Sequence, residues 1–187
     1  MFGRQPDPFR SSREEPAVGL GQQVGCCRTA LAALLAGLRL GGDGAGDPGG
    51  SIGMKERYLV DVNIPMYAAG APSPRKEPCA AFLKRAARNE FDALTDAEVF
   101  QEILHRYSHI GRRSDAFAVF DLFRAVVSEV LPIDFEDVAS ARDLLERHPG
   151  LSSRDAIHAA VAIRHGLTIM SYDKHFDALP GVRRVEP

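Results

Sequence analysis

The chain predicts an α/β sandwich: a short, mostly parallel sheet flanked by helices. Two observations predict it. Apolar runs of four or five residues, at Tyr58–Val62, Phe91–Thr95, Val130–Ile133 and Leu167–Met170, are too short for helices and read as strands. Between them lie longer stretches with apolar residues every three or four positions, the crossover helices that parallel strands need. A third observation bounds the domain. Of the 17 glycines, 12 fall in residues 1–53, together with Pro6, Pro8, Pro16 and Pro48. That segment offers little apolar surface against its ordering entropy and is expected to be a disordered Gly/Pro-rich extension. Residues 54–187 are then one folded domain, opening at Met54 with a strand close behind.

Inside the extension, Cys26 to Leu40 is apolar and helix-prone, yet too short to span a bilayer. The mixed-charge leader before it, with Glu14 and Glu15, is unlike a signal peptide. Cys26, Cys27 and Cys79 are an odd count with no zinc spacing, so a reduced, cytoplasmic protein is expected. The net charge of −2 is no footprint of a tight DNA binder. Any contact with nucleic acid must be local or metal-mediated.

The first strand, Tyr58–Val62, is apolar enough to be central, and Asp61 and Asn63 sit at its exit. Asn63 is expected to cap the following turn, with Pro65 near a helix start. Gly70 to Lys76 is a loop. Pro78 to Asn89 is a helix burying Cys79, Phe82, Leu83 and Ala86. Phe91–Thr95 is a weakly patterned second strand. Thr95-Asp-Ala-Glu98 fits a capping box for the next helix, whose apolar face is Ala97, Phe100, Ile103, Leu104 and Tyr107. Periodicity sets Glu98 and Glu102 on the opposite, solvent face. Glu98 has the capping role, which leaves Glu102 without a local task.

Arg112 to Glu129 is a longer helix with Ala116, Val119, Phe120, Phe123, Val126 and Val127 inward, and with Phe117 on its polar side. An aromatic there suits an interface. Val130–Ile133 is a third strand, and Pro132 makes it an edge. Asp134 or Asp137 caps the helix to Arg147, in which Val138, Ala141, Leu144 and Leu145 face inward. After Gly150 comes a helix capped by Ser152 or Ser153 and ended by Gly166, with Asp155 in its first turn. Leu167–Met170 follows as a buried strand with Ser171-Tyr172-Asp173 at its exit, and Val182–Val185 adds a last short strand.

Asp61, Glu102, Asp155 and Asp173 therefore come from four separate elements. Each alone reads equally well as a turn, cap or surface acid. Together they supply hard oxygen ligands of the kind that hold Mg²⁺ or Mn²⁺. Two carboxylates about 4 Å apart repel by roughly 4 kcal/mol at an effective dielectric near 20, so a converging quartet must bind cations or protons.

Tyr58-Leu-Val-Asp-Val-Asn63, Thr95-Asp-Ala-Glu-Val-Phe-Gln-Glu-Ile-Leu-His-Arg-Tyr107, Leu151-Ser-Ser-Arg-Asp-Ala-Ile-His-Ala-Ala160 and Ser171-Tyr-Asp-Lys-His-Phe-Asp177 resemble, in order and spacing, the PIN-domain ribonucleases, specifically VapC-type toxins of toxin–antitoxin pairs. The resemblance covers about residues 56 to 187. It implies a PIN-like three-layer sandwich, metal-dependent cleavage of RNA, a homodimer, and a cognate antitoxin that covers the acidic cleft, often inserting a basic side chain. It also implies that Asp61, Glu102, Asp155 and Asp173 are catalytic metal ligands supported by Asn63 and Ser171. Glu102 then faces a cleft rather than solvent, since a cleft is polar too. Asp177 is a spare surface acid, and Lys174 and Arg154 are candidates to touch substrate phosphates. Arg112, Arg113 and Arg147 are further basic candidates with ordinary surface explanations.

Two other readings compete. A PIN-like module that binds RNA or protein without cutting keeps the fold and drops the chemistry. A haloacid-dehalogenase-type phosphatase needs a second acid two residues after Asp61, where Asn63 stands. Serine hydrolase chemistry lacks its Gly-x-Ser-x-Gly elbow, and His158, one turn beyond Asp155, reads as structural.

Overall fold

The computed structural model describes residues 55–187. Expectations for residues 1–53, including the Cys26 to Leu40 helix, and for the start at Met54 lie outside the described residues. Five strands form one parallel sheet in the order β3-β2-β1-β4-β5, with β1 at Arg57–Val60, β2 at Asp92–Asp96, β3 at Glu129–Leu131, β4 at Thr168–Met170 and β5 at Arg183–Val185. The helices are α1 (Asn63–Ala69), α2 (Lys76–Ala87), α3 (Ala97–His109), α4 (Arg113–Val126), α5 (Phe135–Arg147) and α6 (Ser153–His165). A 3₁₀ turn spans Lys174–Ala178.

Strand alternation separates two cores. Val60, Ala93 and Met170 face α1 to α4, where Phe82, Ile103 and Phe123 are buried. Leu59, Leu94 and Ile169 face α5 and α6, among Leu144, Ala159 and Phe176. The result is a three-layer sandwich, as the motifs imply. β3 is an edge strand, and Pro132 follows it.

Several local expectations shift. Asn63 caps nothing: it is the first residue of α1, whose cap position Val62 makes no side-chain hydrogen bond. Thr95 belongs to β2, where its hydroxyl donates to Val60 O at 2.8 Å, and Asp96 caps α3 by accepting from Val99 N. The cap is therefore displaced by one residue, and with Val99 at the third helical position no capping box forms and Glu98 has no part in one. Ala97 is exposed, and Val138, expected inward on α5, is 47 % exposed because that helix buries only a narrow stripe around Ala141 and Leu144. Phe117 stands out from α4 at 56 % exposure, as its position in the periodicity implies.

Two expected caps are present. Asp134 and Asp137 form a reciprocal capping box on α5, and Ser152 caps α6, which ends at Gly166 with φ 62°. That left-handed conformation suits a residue without Cβ.

Candidate functional site

The order of strands reverses between β1 and β4: from β1 the chain winds one way to β2 and β3, and from β4 the other way to β5. At such a point the connections leave in opposite directions and open a crevice at the strands' carboxyl ends. Val60 pairs with Met170 at the ends of these two strands, so Asp61 and Ser171 emerge side by side. Asp61 N donates to Met170 O at 3.1 Å, continuing the ladder.

Ser171 and Asn63 fix Asp61. The Ser171 hydroxyl and Asn63 Nδ2 both donate to Asp61 Oδ2, each at 2.5 Å. Asn63 Nδ2 also donates to Ser171 Oγ at 2.8 Å, and Asp173 N to the same oxygen at 2.9 Å. The Ser171 hydroxyl thus makes the one donation and two acceptances available to it. Among the described residues no side chain donates to Asp61 Oδ1. From behind, Arg184 Nη1 donates to Ser171 O at 2.8 Å and ties this exit to β5.

Asp155 enters from the first turn of α6. Its backbone N–H donates to Ser152 Oγ at 3.1 Å, and the Ser152 hydroxyl returns a bond to Asp155 Oδ2 at 2.6 Å. The capping role and the site role coexist in one side chain. Asp173 caps the 3₁₀ turn, with Oδ1 accepting from His175 N at 2.8 Å. Ligand atoms of Asp155, Asp173 and His175 lie within 4.8 Å of one another. His175 is a ligand candidate that sequence reasoning did not select.

Glu102 is buried rather than solvent-exposed, which overturns the periodicity reading and agrees with the motif match. Arg106 Nε donates to it at 2.7 Å, and Arg154 Nη1 lies at 3.5 Å, while Arg154 Nε pairs with Glu98 at 3.4 Å. Asp155 and Asp173 thus approach each other directly, while Asp61 is tied to the Asp173 backbone through Ser171 and feels Asp155 and Glu102 electrostatically. Glu102 borders the crevice from α3 with two arginines against it.

The electrostatics register this crowding. Burial pushes Asp61 up to about 6, with Asp155 and Glu102 adding to the rise and His158 and the Ser171 hydroxyl opposing it. Asp155 is raised by burial, then by Asp173 and Glu102, against Ser152 and His158.

A buried pair lies at the same edge. His158 Nδ1 meets Asp96 Oδ2 at 2.7 Å, joining α6 to the end of β2. Burial would lower the imidazole pKa, but Asp96, then Asp61 and Asp155, outweigh it and lift it to about 9. His158 Nε2 has no hydrogen-bond partner among the described residues. The expectation of a structural His158 fits its burial, yet its charge also bears on the acids. Asp96 escaped notice because it read as the unremarkable second residue of a capping box.

Carboxylates crowded enough to raise Asp61 and Asp155, with Asp61, Asp155 and Asp173 each held in place by hydrogen bonds, are a donor set that a hard divalent cation would satisfy. Asp177 is exposed, as expected, and pairs with Arg184. Among the described residues no helix is long and apolar enough to cross a membrane.

The PIN domain family model matches residues 58–182. A VapC ribonuclease of Mycobacterium bovis and ribonuclease VapC13 of Mycobacterium tuberculosis are each 48 % identical over 128 residues, covering 68 % of this chain and 98 % of theirs. Among solved structures, VapBC2 from Rickettsia felis bound to a promoter DNA fragment aligns with a TM-score of 0.58 at 18 % identity, covering 70 % of this chain and 98 % of that one. Mycobacterium tuberculosis VapC20, described as a sarcin-ricin loop cleaving toxin, aligns with a TM-score of 0.55 at 19 % identity, over 65 % of this chain and 93 % of its own. At those identities the solved structures speak to the fold. Because the family match runs from the first strand past the last acid and takes in Asp61, Glu102, Asp155 and Asp173, this chain belongs to the PIN-domain family.

Proposed function

We propose that the chain is a metal-dependent endoribonuclease acting as the toxin of a toxin–antitoxin pair, with Asp61, Glu102, Asp155 and Asp173 as its catalytic, metal-holding acids. The observation behind this reading is the placing of Asp61 beside the Asp155 and Asp173 pair at the β1/β4 crevice through Ser171, where burial and neighbouring acids raise Asp61 and Asp155. The relatives named ribonucleases, at 48 % identity, support the substrate class.

Mg²⁺ or Mn²⁺ bound there would offset charge on the phosphoryl oxygens and make water a better nucleophile. The chain supplies the rest. Ser171 and Asn63 hold Asp61 through Oδ2, and among the described residues no side chain donates to its Oδ1. Ser152 orients Asp155, and the 3₁₀ turn orients Asp173. Glu102 would add a fourth carboxylate from α3, with Arg106 and Arg154 beside it.

The concentrated negative charge calls for a partner that presents basic side chains, which is the expected role of an antitoxin. Exposed Phe117 is the proposed contact of a homodimer.

Purified full-length chain incubated with a mixed RNA pool and Mg²⁺ or Mn²⁺ should cleave it. Chelation should abolish cleavage, and Asp61→Asn should reduce it by about 100-fold or more, beyond the loss usual for a mere ligand support. A folded protein that binds RNA but leaves it intact under every metal tried would favour the non-catalytic PIN-like module.

A further inference from the structure

Arg75, which packs on Tyr67 and Tyr172, differs from the arginines that touch the crevice's acids and strand exit. Arg154, Arg106 and Arg184 all pair with carboxylates, whereas among the described residues no carboxylate lies within ion-pair distance of Arg75. Its guanidinium is held by aromatic groups instead. The Arg75 carbon Cζ lies 5.0 Å from the centre of the Tyr67 ring and 4.7 Å from that of Tyr172, and Nη1 donates to the Tyr67 hydroxyl at 2.5 Å. The two rings meet edge to face at 5.7 Å. An exposed cation is therefore fixed in orientation with its charge uncompensated.

Its position relates it to the acids. Tyr172 lies between Ser171 and Asp173, and its backbone N–H donates to Asn63 Oδ1 at 3.4 Å. Tyr67 is one helical turn beyond Asn63 on α1, hence on the same face. Both rings that hold Arg75 thus grow from the elements that fix Asp61.

We infer that Tyr67, Arg75 and Tyr172 form a phosphate-binding subsite for the RNA strand, one that takes a backbone phosphate next to the scissile one. A guanidinium offers a planar fork to a phosphate, and pre-ordering on two rings removes much of the entropy that an arginine loses on binding. Aromatic groups beside it suit single-stranded RNA, whose bases stack on such platforms. The acids repel the strand's charge, and a fixed cation at their border opposes that repulsion.

The inference rests on the ribonuclease reading, and two assays separate their failures. The first is binding of a short fluorescent single-stranded RNA of mixed sequence to the full chain carrying Asp61→Asn, with Mn²⁺ present and salt varied. Adding Arg75→Gln should weaken binding about 3- to 10-fold and lower the slope of log affinity against log salt by about 0.7, the share of one phosphate on a single strand. Arg75→Lys should keep the slope but recover only part of the affinity, because an ammonium lacks the planar fork. Arg88→Gln, at the far end of α2, should change neither. The second assay is cleavage by the otherwise native chain, where Arg75→Gln should act on KM rather than kcat. Unchanged RNA affinity and salt slope in Arg75→Gln overturn the subsite, and so does a loss that Arg88→Gln reproduces. If the native chain cleaves no RNA, the nuclease reading fails alone and the binding series still decides the subsite.

Discussion

Asp61 illustrates how the site costs the fold stability. An unfolded aspartate titrates near 4, whereas Asp61 titrates at about 6 in the fold. Between those values the folded chain keeps a proton that the unfolded chain has released, so this group's contribution to stability falls as pH rises from about 4 to 6 and stays low above. His158 acts in the same direction at higher pH. Its contribution is fully present below about 6.5 and is lost as pH rises through about 9. In chelator at pH 7.5, Asp61→Asn should therefore raise stability by about 1–3 kcal/mol in a denaturant titration, and the gain should shrink at pH 5. Stabilisation by added Mn²⁺ should run the opposite way, fading as pH drops through about 6 and protons compete for Asp61. At this scale the sequence placed Asp61 and Asp173 at strand exits and Asp155 at a helix start, where the structure has them. Glu102 was not legible from periodicity, because a helix face lining a polar crevice has the same pattern as one facing water. Asp96 and His158 were hidden because their pairing spans 62 residues of sequence and two elements.

Among the elements, α6 joins fold to chemistry most directly. Ser152 starts the helix and, through the same hydroxyl, orients Asp155. Ser152→Ala should cost about 1 kcal/mol in thermal or denaturant unfolding, the usual loss of an N-cap. It should also weaken Mn²⁺ binding about 10-fold by calorimetry, since a carboxylate ligand loses its support. A change in stability with unaltered Mn²⁺ affinity would detach the cap from the site. Gly166 announced its helix end, and the caps were narrowed to Asp134 or Asp137 and to Ser152 or Ser153, because each rule needs only one residue of a particular chemistry. The start of α3 was misplaced by one position because Thr95 and Asp96 are both good caps. The choice was made by a contact with β1, the Thr95 bond to Val60 O, which no local pattern contains. β2 looked weak because acids close it at both ends, yet it sits inside the sheet between β1 and β3.

For the molecule as a whole, alternation of strands and helices made a parallel α/β sandwich readable, while strand order was not, since order is set by which helix faces find each other. That order is what brings β1 beside β4 and creates the crevice. Both hydrophobic cores are complete within residues 59–179 apart from Tyr58, Val182 and Val185 packed on their borders. A fragment of residues 54–187 should therefore unfold cooperatively, with a Tm within about 2 °C of the full chain and the same Mn²⁺ affinity; a molten fragment would give residues 1–53 a structural role. The proposed chemistry needs a cation site shared by acids from separate elements. Its most direct test is anomalous diffraction from crystals of the full chain grown at pH 7.5 and soaked in Mn²⁺. The predicted result is a peak at about 2.0–2.2 Å from oxygens of Asp155 and Asp173, facing Asp61, that Asp155→Asn abolishes. Saturating Mn²⁺ with no peak in the β1/β4 crevice would contradict the account.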